Sequence, residues 1–159
     1  MSSPHVIFVC WGNICRSPMA EAVARHWAGR DGVDAVFSSA GVSSEEAGNP
    51  MDARAVAALR RAGYPAVSHT AHRITASEIR DAAVVVAMED LHLDRMLRLV
   101  PDAGNLRLLT DFDPSAVPGT GVPDPWYGPA AGFNDTLASI EAAMPHLLEH
   151  VREFSARIR

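Results

Sequence analysis

Cys10 and Arg16 stand six positions apart near the start of the chain, in the string Val6-Ile7-Phe8-Val9-Cys10-Trp11-Gly12-Asn13-Ile14-Cys15-Arg16-Ser17-Pro18. A thiolate is a nucleophile, and a guanidinium is a rigid fork that matches two oxygens of a phosphate. Ser17 can turn its hydroxyl to the sulfur and steady the thiolate, first as attacker and later as leaving group. A sulfur nucleophile, an oxyanion cradle and an arginine describe phosphoryl transfer through a covalent intermediate. A phosphate ester also needs a proton for its departing oxygen, and an aspartate on a lid can give one. Residues 110–132 hold Asp111, Asp113 and Asp124 among Pro114, Pro118, Pro123 and Pro125, a stretch that reads as a long loop. On composition all three aspartates qualify. Each has turn-making as its alternative duty, Asp113 before Pro114 above all.

The elements around Cys10 supply a reason for the chemistry. Val6 to Val9 is an unbroken apolar run that reads as a buried strand. Ser17-Pro18 reads as a helix N-cap followed by the residue that suits the first helical position. Between them, Gly12 and Asn13 are the residue types that best tolerate unusual backbone angles. Strand, tight loop and helix N-terminus make an anion pocket, with amides turned inward, the positive end of the helix dipole, and Cys10 on the floor.

The rest of the chain alternates. A helix is expected from 17 to about 28 with Ala20, Val23, Ala24 and Trp27 on one face and Gly29 closing it. Strands are expected at 34–40, 82–88 and 106–109, and helices at 52–62, from Thr75 or Ser77, and at 91–100. A final amphipathic helix carries Phe133, Leu137, Ile140, Met144, Leu147, Val151, Phe154 and Ile158, with Asn134 or Asp135 as its cap and Pro145 bending it. Alternating strands and helices of these lengths predict an α/β fold, a doubly wound parallel sheet with ligands beyond the carboxyl ends of its strands.

The extended string V-C-W-G-N-I-C-R-S-P, together with D-P-W-Y-G at 124–128, resembles the low-molecular-weight protein tyrosine phosphatases. The resemblance spans residues 1–159 and implies a three-layer domain with a four-stranded sheet in the order 2-1-3-4. It implies Cys10 as nucleophile, Arg16 as phosphate ligand and Asp124 as general acid and base. Trp11, Gly12, Asn13, Ile14, Cys15, Arg16 and Ser17 would bind phosphate, and Trp126 and Tyr127 would flank an aryl group. Asn13 would be left-handed and bonded in a network with Ser17, Ser39 and His69. Cys15 would be a disulfide partner that shields Cys10 from irreversible oxidation. The chain departs from the family with Trp126 for a tyrosine, with Glu45 (followed by Glu46) for an aromatic, and with His72 where an arginine is common. These departures bear on substrate preference.

Composition bounds the partners. With 159 residues and 48% apolar side chains the chain suits one domain with a real core. No apolar run reaches membrane-spanning length and no leader is evident, so a soluble cytoplasmic protein is expected, as monomer or weak dimer. A net charge of −5 without a basic cluster argues against nucleic acid. Two cysteines on one loop do not form a secreted disulfide framework, and no Cys/His cluster suggests a metal or other cofactor. The expected partner is a phosphotyrosine protein or a small aryl phosphate. Two other readings remain: a thioredoxin-coupled arsenate reductase, although the chain has only two cysteines, and a non-catalytic phosphate-binding module.

Overall fold

The computed structural model describes residues 3–65 and 67–158; for 155–158 only the backbone is described, so the expected place of Ile158 on the apolar stripe lies outside the described side chains. Four parallel strands run in the spatial order β2-β1-β3-β4. They are β1 (His5–Cys10), β2 (Val36–Gly41), β3 (Val84–Ala87) and β4 (Leu106–Leu108). The apolar runs dictate the order. β1 and β3 are buried on both faces and take the two central places, as parallel strands covered by helices must.

Alternation along β1 sorts the core into two layers. Val6, Phe8 and Cys10 face the helices α1 (Arg16–Asp31), α2 (Ala53–Arg61) and α5 (Gly132–Ile158). Ile7 and Val9 face α3 (Ala76–Asp81) and α4 (Asp90–Leu99). Phe8, Ile7, Met19, Phe133 and Met144 are fully buried, and each such side chain contributes about 1.5–3 kcal/mol by leaving water. The stripe on α5 packs as its period predicts, and the helix continues through Pro145. No helix among the described residues is long and apolar enough to cross a membrane.

Several ends differ from expectation. α1 starts at Arg16 with Cys15 as N-cap, so Ser17 lies one residue inside the helix and Pro18 in its first turn, where backbone N–H groups lack helical partners anyway. Ser17 fails as a cap because its hydroxyl is used elsewhere. The helix also runs past Gly29 to Gly32, whose φ of 70° is the left-handed stop that a glycine supplies without strain. α5 begins at Gly132, which leaves Asn134 and Asp135 inside the first turn instead of at the cap. On α2 the inward positions are Ala55, Ala58 and Leu59, with Val56 half-buried. β2 starts at Val36 and β3 is the shorter run 84–87. The long loop is not featureless, since Leu109–Phe112 and Pro125–Tyr127 form single 3-10 turns.

Candidate active site

The carboxyl end of β1 delivers Cys10 to the floor of a cleft, 3% exposed, with its Sγ 3.0 Å from the Ser17 Oγ. Asn13 organises that floor. Its φ is 61°, the left-handed region that asparagine enters more readily than most residues. From there its Nδ2 donates to Ser17 Oγ at 2.8 Å and to Ser39 Oγ at 3.0 Å. Its Oδ1 accepts the His72 N–H at 3.1 Å, and its carbonyl lies 2.6 Å from His69 Nε2. A carbonyl only accepts, so that histidine nitrogen carries a proton. Because Asn13 fills one acceptor site on Ser17, the serine proton remains for Cys10 or for the Ala40 carbonyl at 3.3 Å. Ser39 donates its own hydroxyl hydrogen bond to Glu21 at 2.7 Å, and Glu21 is paired with Arg25.

The loop carbonyls are also spoken for. Those of Cys10, Trp11 and Ile14 accept from Val42, Ser43 and Asp52. Binding the negative ends of these peptides to surrounding protein leaves their positive ends for an anion. The close approach requires Gly41, where a Cβ would stand 2.7 Å from the Trp11 carbonyl oxygen.

Arg16 forms one side of the cleft and is 2% exposed, so its charge needs partners. Nη1 donates to Glu89 Oε1 at 2.6 Å and to the Val122 carbonyl at 2.7 Å. Nη2 lies 3.6 Å from Asp124 Oδ2. Glu89 is the N-cap of α4, and its N–H donates to His92 Nδ1 at 3.1 Å. Burial, helped by the charge of Arg16, pushes the His92 pKa down to about 3 and keeps the ring neutral. Val122 is held in turn by the Met88 carbonyl, and Gly121 admits the close contact, since a Cβ there would sit 2.7 Å from Glu89 Cγ.

Of the three loop aspartates, only Asp124 lines this cleft. Asp111 accepts the Leu108 N–H, and Asp113 binds the N–H and hydroxyl of Ser115, both as turn-makers. Asp124 caps the turn Pro125–Tyr127, with Oδ1 accepting the Trp126 N–H at 3.1 Å and Oδ2 facing Arg16. The outer walls are Trp11, Gly12, Ile14 and Cys15 on one side and Trp126 and Tyr127 on the other, with Glu45 and Glu46 at the rim. Glu45 accepts from the Trp11 indole at 3.3 Å, Arg95 stacks on that indole at 4.8 Å, and Tyr127 is 90% exposed.

The family model for low molecular weight phosphotyrosine protein phosphatase matches residues 5–156. The chain belongs to this family. A low molecular weight protein-tyrosine-phosphatase of Streptomyces coelicolor is 42% identical over 155 residues, covering 94% of each chain. Low molecular weight protein-tyrosine phosphatase A of Mycobacterium bovis is 40% identical over 161 residues, with 99% of this chain and 98% of the relative covered. A solved protein tyrosine phosphatase from Entamoeba histolytica, with Hepes in its active site, superposes with a TM-score of 0.89 at 28% identity, over 96% of this chain and 99% of that one. The chain is therefore a phosphatase, and phosphoprotein or aryl phosphate substrates follow from the family.

Within this low molecular weight phosphatase, Cys10 and Cys15 are both free thiols and both buried. Burial, together with the nearby charges of Asp52, Cys10 and Asp124, pushes the Cys15 thiol well above the ordinary range. That holds Cys15 protonated, an inert neighbour in this state and not a second nucleophile. Sequence reasoning missed Glu89, Val122 and His92, which hold Arg16 in place. A signal existed: Met88-Glu89 lies just past β3, and ligand sites gather at the carboxyl ends of parallel strands. It also missed Arg54, which donates to the Trp126 carbonyl at 3.2 Å. His72 serves the floor through its backbone N–H, which donates to Asn13, while its ring pairs with Glu78 at 2.9 Å.

Proposed function

We propose that the chain hydrolyses phosphotyrosine and related aryl phosphate monoesters through a phosphocysteine intermediate. The observation that carries this reading is the convergence of Cys10, Arg16 and Asp124 on one cleft whose outer walls are aromatic. The phosphate seats against the loop amides from Trp11 to Ser17, with Arg16 on its oxygens, in line with the Cys10 sulfur. Cys10 attacks phosphorus as the aryl–oxygen bond to phosphorus breaks, and the proton of Asp124 passes to the departing oxygen. A water then attacks phosphorus, Asp124 takes its proton, and the sulfur leaves with the Ser17 hydroxyl on it. Arg16 and the amides supply the positive field that phosphoryl transfer requires. A tetrahedral sulfonate, Hepes, occupies the active site of the Entamoeba relative and agrees with an anion seat.

Depth selects the ester. The nucleophile is nearly buried, so phosphate must arrive on a stalk long enough to reach it. The phenyl ring of phosphotyrosine is such a stalk and lies between Trp11, Trp126 and Tyr127. The reading is tested by turnover of phenyl phosphate, whose leaving group needs a proton, in a chelating buffer. Cys10→Ser abolishes turnover, and Asp124→Ala loses on the order of 100-fold or more in kcat/KM, most for poor leaving groups. Quenching the parent enzyme in mid-turnover and finding phosphate on Cys10 by mass spectrometry completes the test. Parent-level turnover by Asp124→Ala would remove the acid from this scheme.

A further inference from the structure

Arg54, half-buried on the first turn of α2, gathers several contacts around the cleft. Its Nε and Nη2 both donate to the Asp52 carboxylate at 3.1 Å, a two-pronged pair that fixes the plane of the guanidinium. The third prong, Nη1, reaches the Trp126 carbonyl at 3.2 Å. The same planar group stacks 5.2 Å from the Trp126 ring centre and 4.7 Å from that of Phe133, on the first turn of α5. Asp52 is itself fixed: it caps α2 by accepting the Arg54 N–H, and its own N–H donates to the Ile14 carbonyl of the phosphate-binding loop. A continuous chain of bonds therefore runs from the loop through Asp52 and Arg54 to Trp126, whose N–H holds Asp124 Oδ1.

We propose that Arg54 is a positioning residue for the general acid. It ties the turn that carries Asp124 to the loop that carries Cys10 and sets the distance between proton donor and leaving oxygen. Buried Pro125 anchors one end of the turn Pro125–Tyr127 and Asp124 faces Arg16, but Trp126 and Tyr127 are exposed, and Arg54 is the side chain that ties the Trp126 carbonyl to α2. Lysine cannot replace Arg54, because one ammonium cannot chelate Asp52, reach the Trp126 carbonyl and sit over two rings at once. Asp52 has a second part in this device. Its carboxylate, kept ionised by hydrogen bonds from Arg54 that outweigh the cost of burial, balances the arginine charge beside Asp124.

The inference rests on the assignment of Asp124 as acid, and one experiment separates the two. kcat/KM is measured for phenyl phosphate, whose leaving group needs the proton, and for p-nitrophenyl phosphate, which needs it far less. The ratio of the two values is independent of how much enzyme is folded. Arg54→Met and Arg54→Lys are each expected to depress the ratio about 10-fold, the scale of a misplaced catalytic group, with Asp52→Asn in the same direction and smaller. In an Asp124→Ala background, Arg54→Met adds no further change to the ratio. An unchanged ratio in Arg54→Met, with a fallen ratio in Asp124→Ala, overturns the role of Arg54 alone. An unchanged ratio in Asp124→Ala overturns the acid assignment itself. Full rescue by lysine would leave only a charge effect and also overturn the proposal.

Discussion

The floor of the cleft and its rim are built by different rules. On the floor, Asn13, Ser17 and Ser39 are buried, and Asn13 spends its side-chain amide and its carbonyl on named partners in two other segments of chain. At the rim, Asp124, Trp126, Tyr127 and Glu45 are exposed, and Arg54 ties the turn there to α2 through the Trp126 carbonyl. A buried polar network loses heavily when one member goes, because its partners are left without water to replace it. An exposed rim re-solvates. The difference teaches where this phosphatase can tolerate change: at the rim, where side chains re-solvate, and not on the floor, where each lost partner leaves a buried polar group unpaired.

Asn13→Ala is the severest test of that contrast. It removes bonds to Ser17, Ser39 and the His72 N–H together, and it places alanine at a φ of 61°. We expect a loss of about 2–4 kcal/mol in stability and roughly 100-fold in kcat/KM, read by urea unfolding and by p-nitrophenyl phosphate turnover. Asn13→Gly tolerates the same φ and regains only the backbone share, about 1 kcal/mol. A mild phenotype for Asn13→Ala would mean that the floor is as forgiving as the rim.

His92 probes the ground beneath Arg16, between the two regions. Its neutral ring accepts the Glu89 N–H, and its folded pKa of about 3 lies below the unfolded 6.5. Between those values the unfolded chain binds the extra proton, so stability is fully present above pH 6.5 and is lost as pH falls toward 3. From pH 7 to pH 5 this one residue removes about 2 kcal/mol. His92→Gln keeps an acceptor without titrating, so the stability gap between parent and variant narrows by that amount on acidification. A constant gap in urea unfolding at the two pH values would show that the ring is not held neutral.

What the sequence disclosed follows the same division. Val6–Val9 and the A-A-V-V-V-A-M run marked the central strands, because unbroken apolar character is dictated by burial on both faces. Cys10, Arg16 and the loop were legible because strand, Gly-Asn and helix start are contiguous in sequence. Ser-Pro misled the boundary of α1: a serine before proline looks like a cap, and only the fold reveals that its hydroxyl serves Cys10 and Asn13. The residues that hold Arg16 and the turn after Asp124 were invisible for a simple reason. Glu89 lies 73 positions from Arg16, Val122 lies 106, and Arg54 and Trp126 are 72 apart, so no local pattern connects them. Asp124 could not be separated from Asp111 and Asp113 by composition. The D-P-W-Y-G resemblance singled it out, and of the three only Asp124 lines the cleft, facing Arg16.

The smallest expected effect is the sharpest test of the rim. Glu45 and Glu46 border the cleft, and among the described residues neither forms an ion pair; each has a neutral donor instead, the Trp11 indole and the Asn49 amide. Asp52 and Glu89, by contrast, are neutralised by Arg54 and Arg16. Two uncompensated carboxylates about 8 Å from a substrate charge, in a solvent-like dielectric, are worth about 0.5 kcal/mol each. They should favour phosphotyrosine peptides flanked by lysine or arginine and disfavour acidic ones. In the Glu45→Gln/Glu46→Gln double variant, the ratio of kcat/KM for a basic over a neutral phosphopeptide should fall about 3- to 6-fold at low salt, and much less at 0.5 M, where screening shortens the reach of surface charge. The same ratio in Asn13→Gly should not move if the floor, as proposed, takes the phosphate and not its neighbours. A change confined to overall rate, with the ratio intact in the double variant, would mean that the rim shapes the cleft by packing and not by charge.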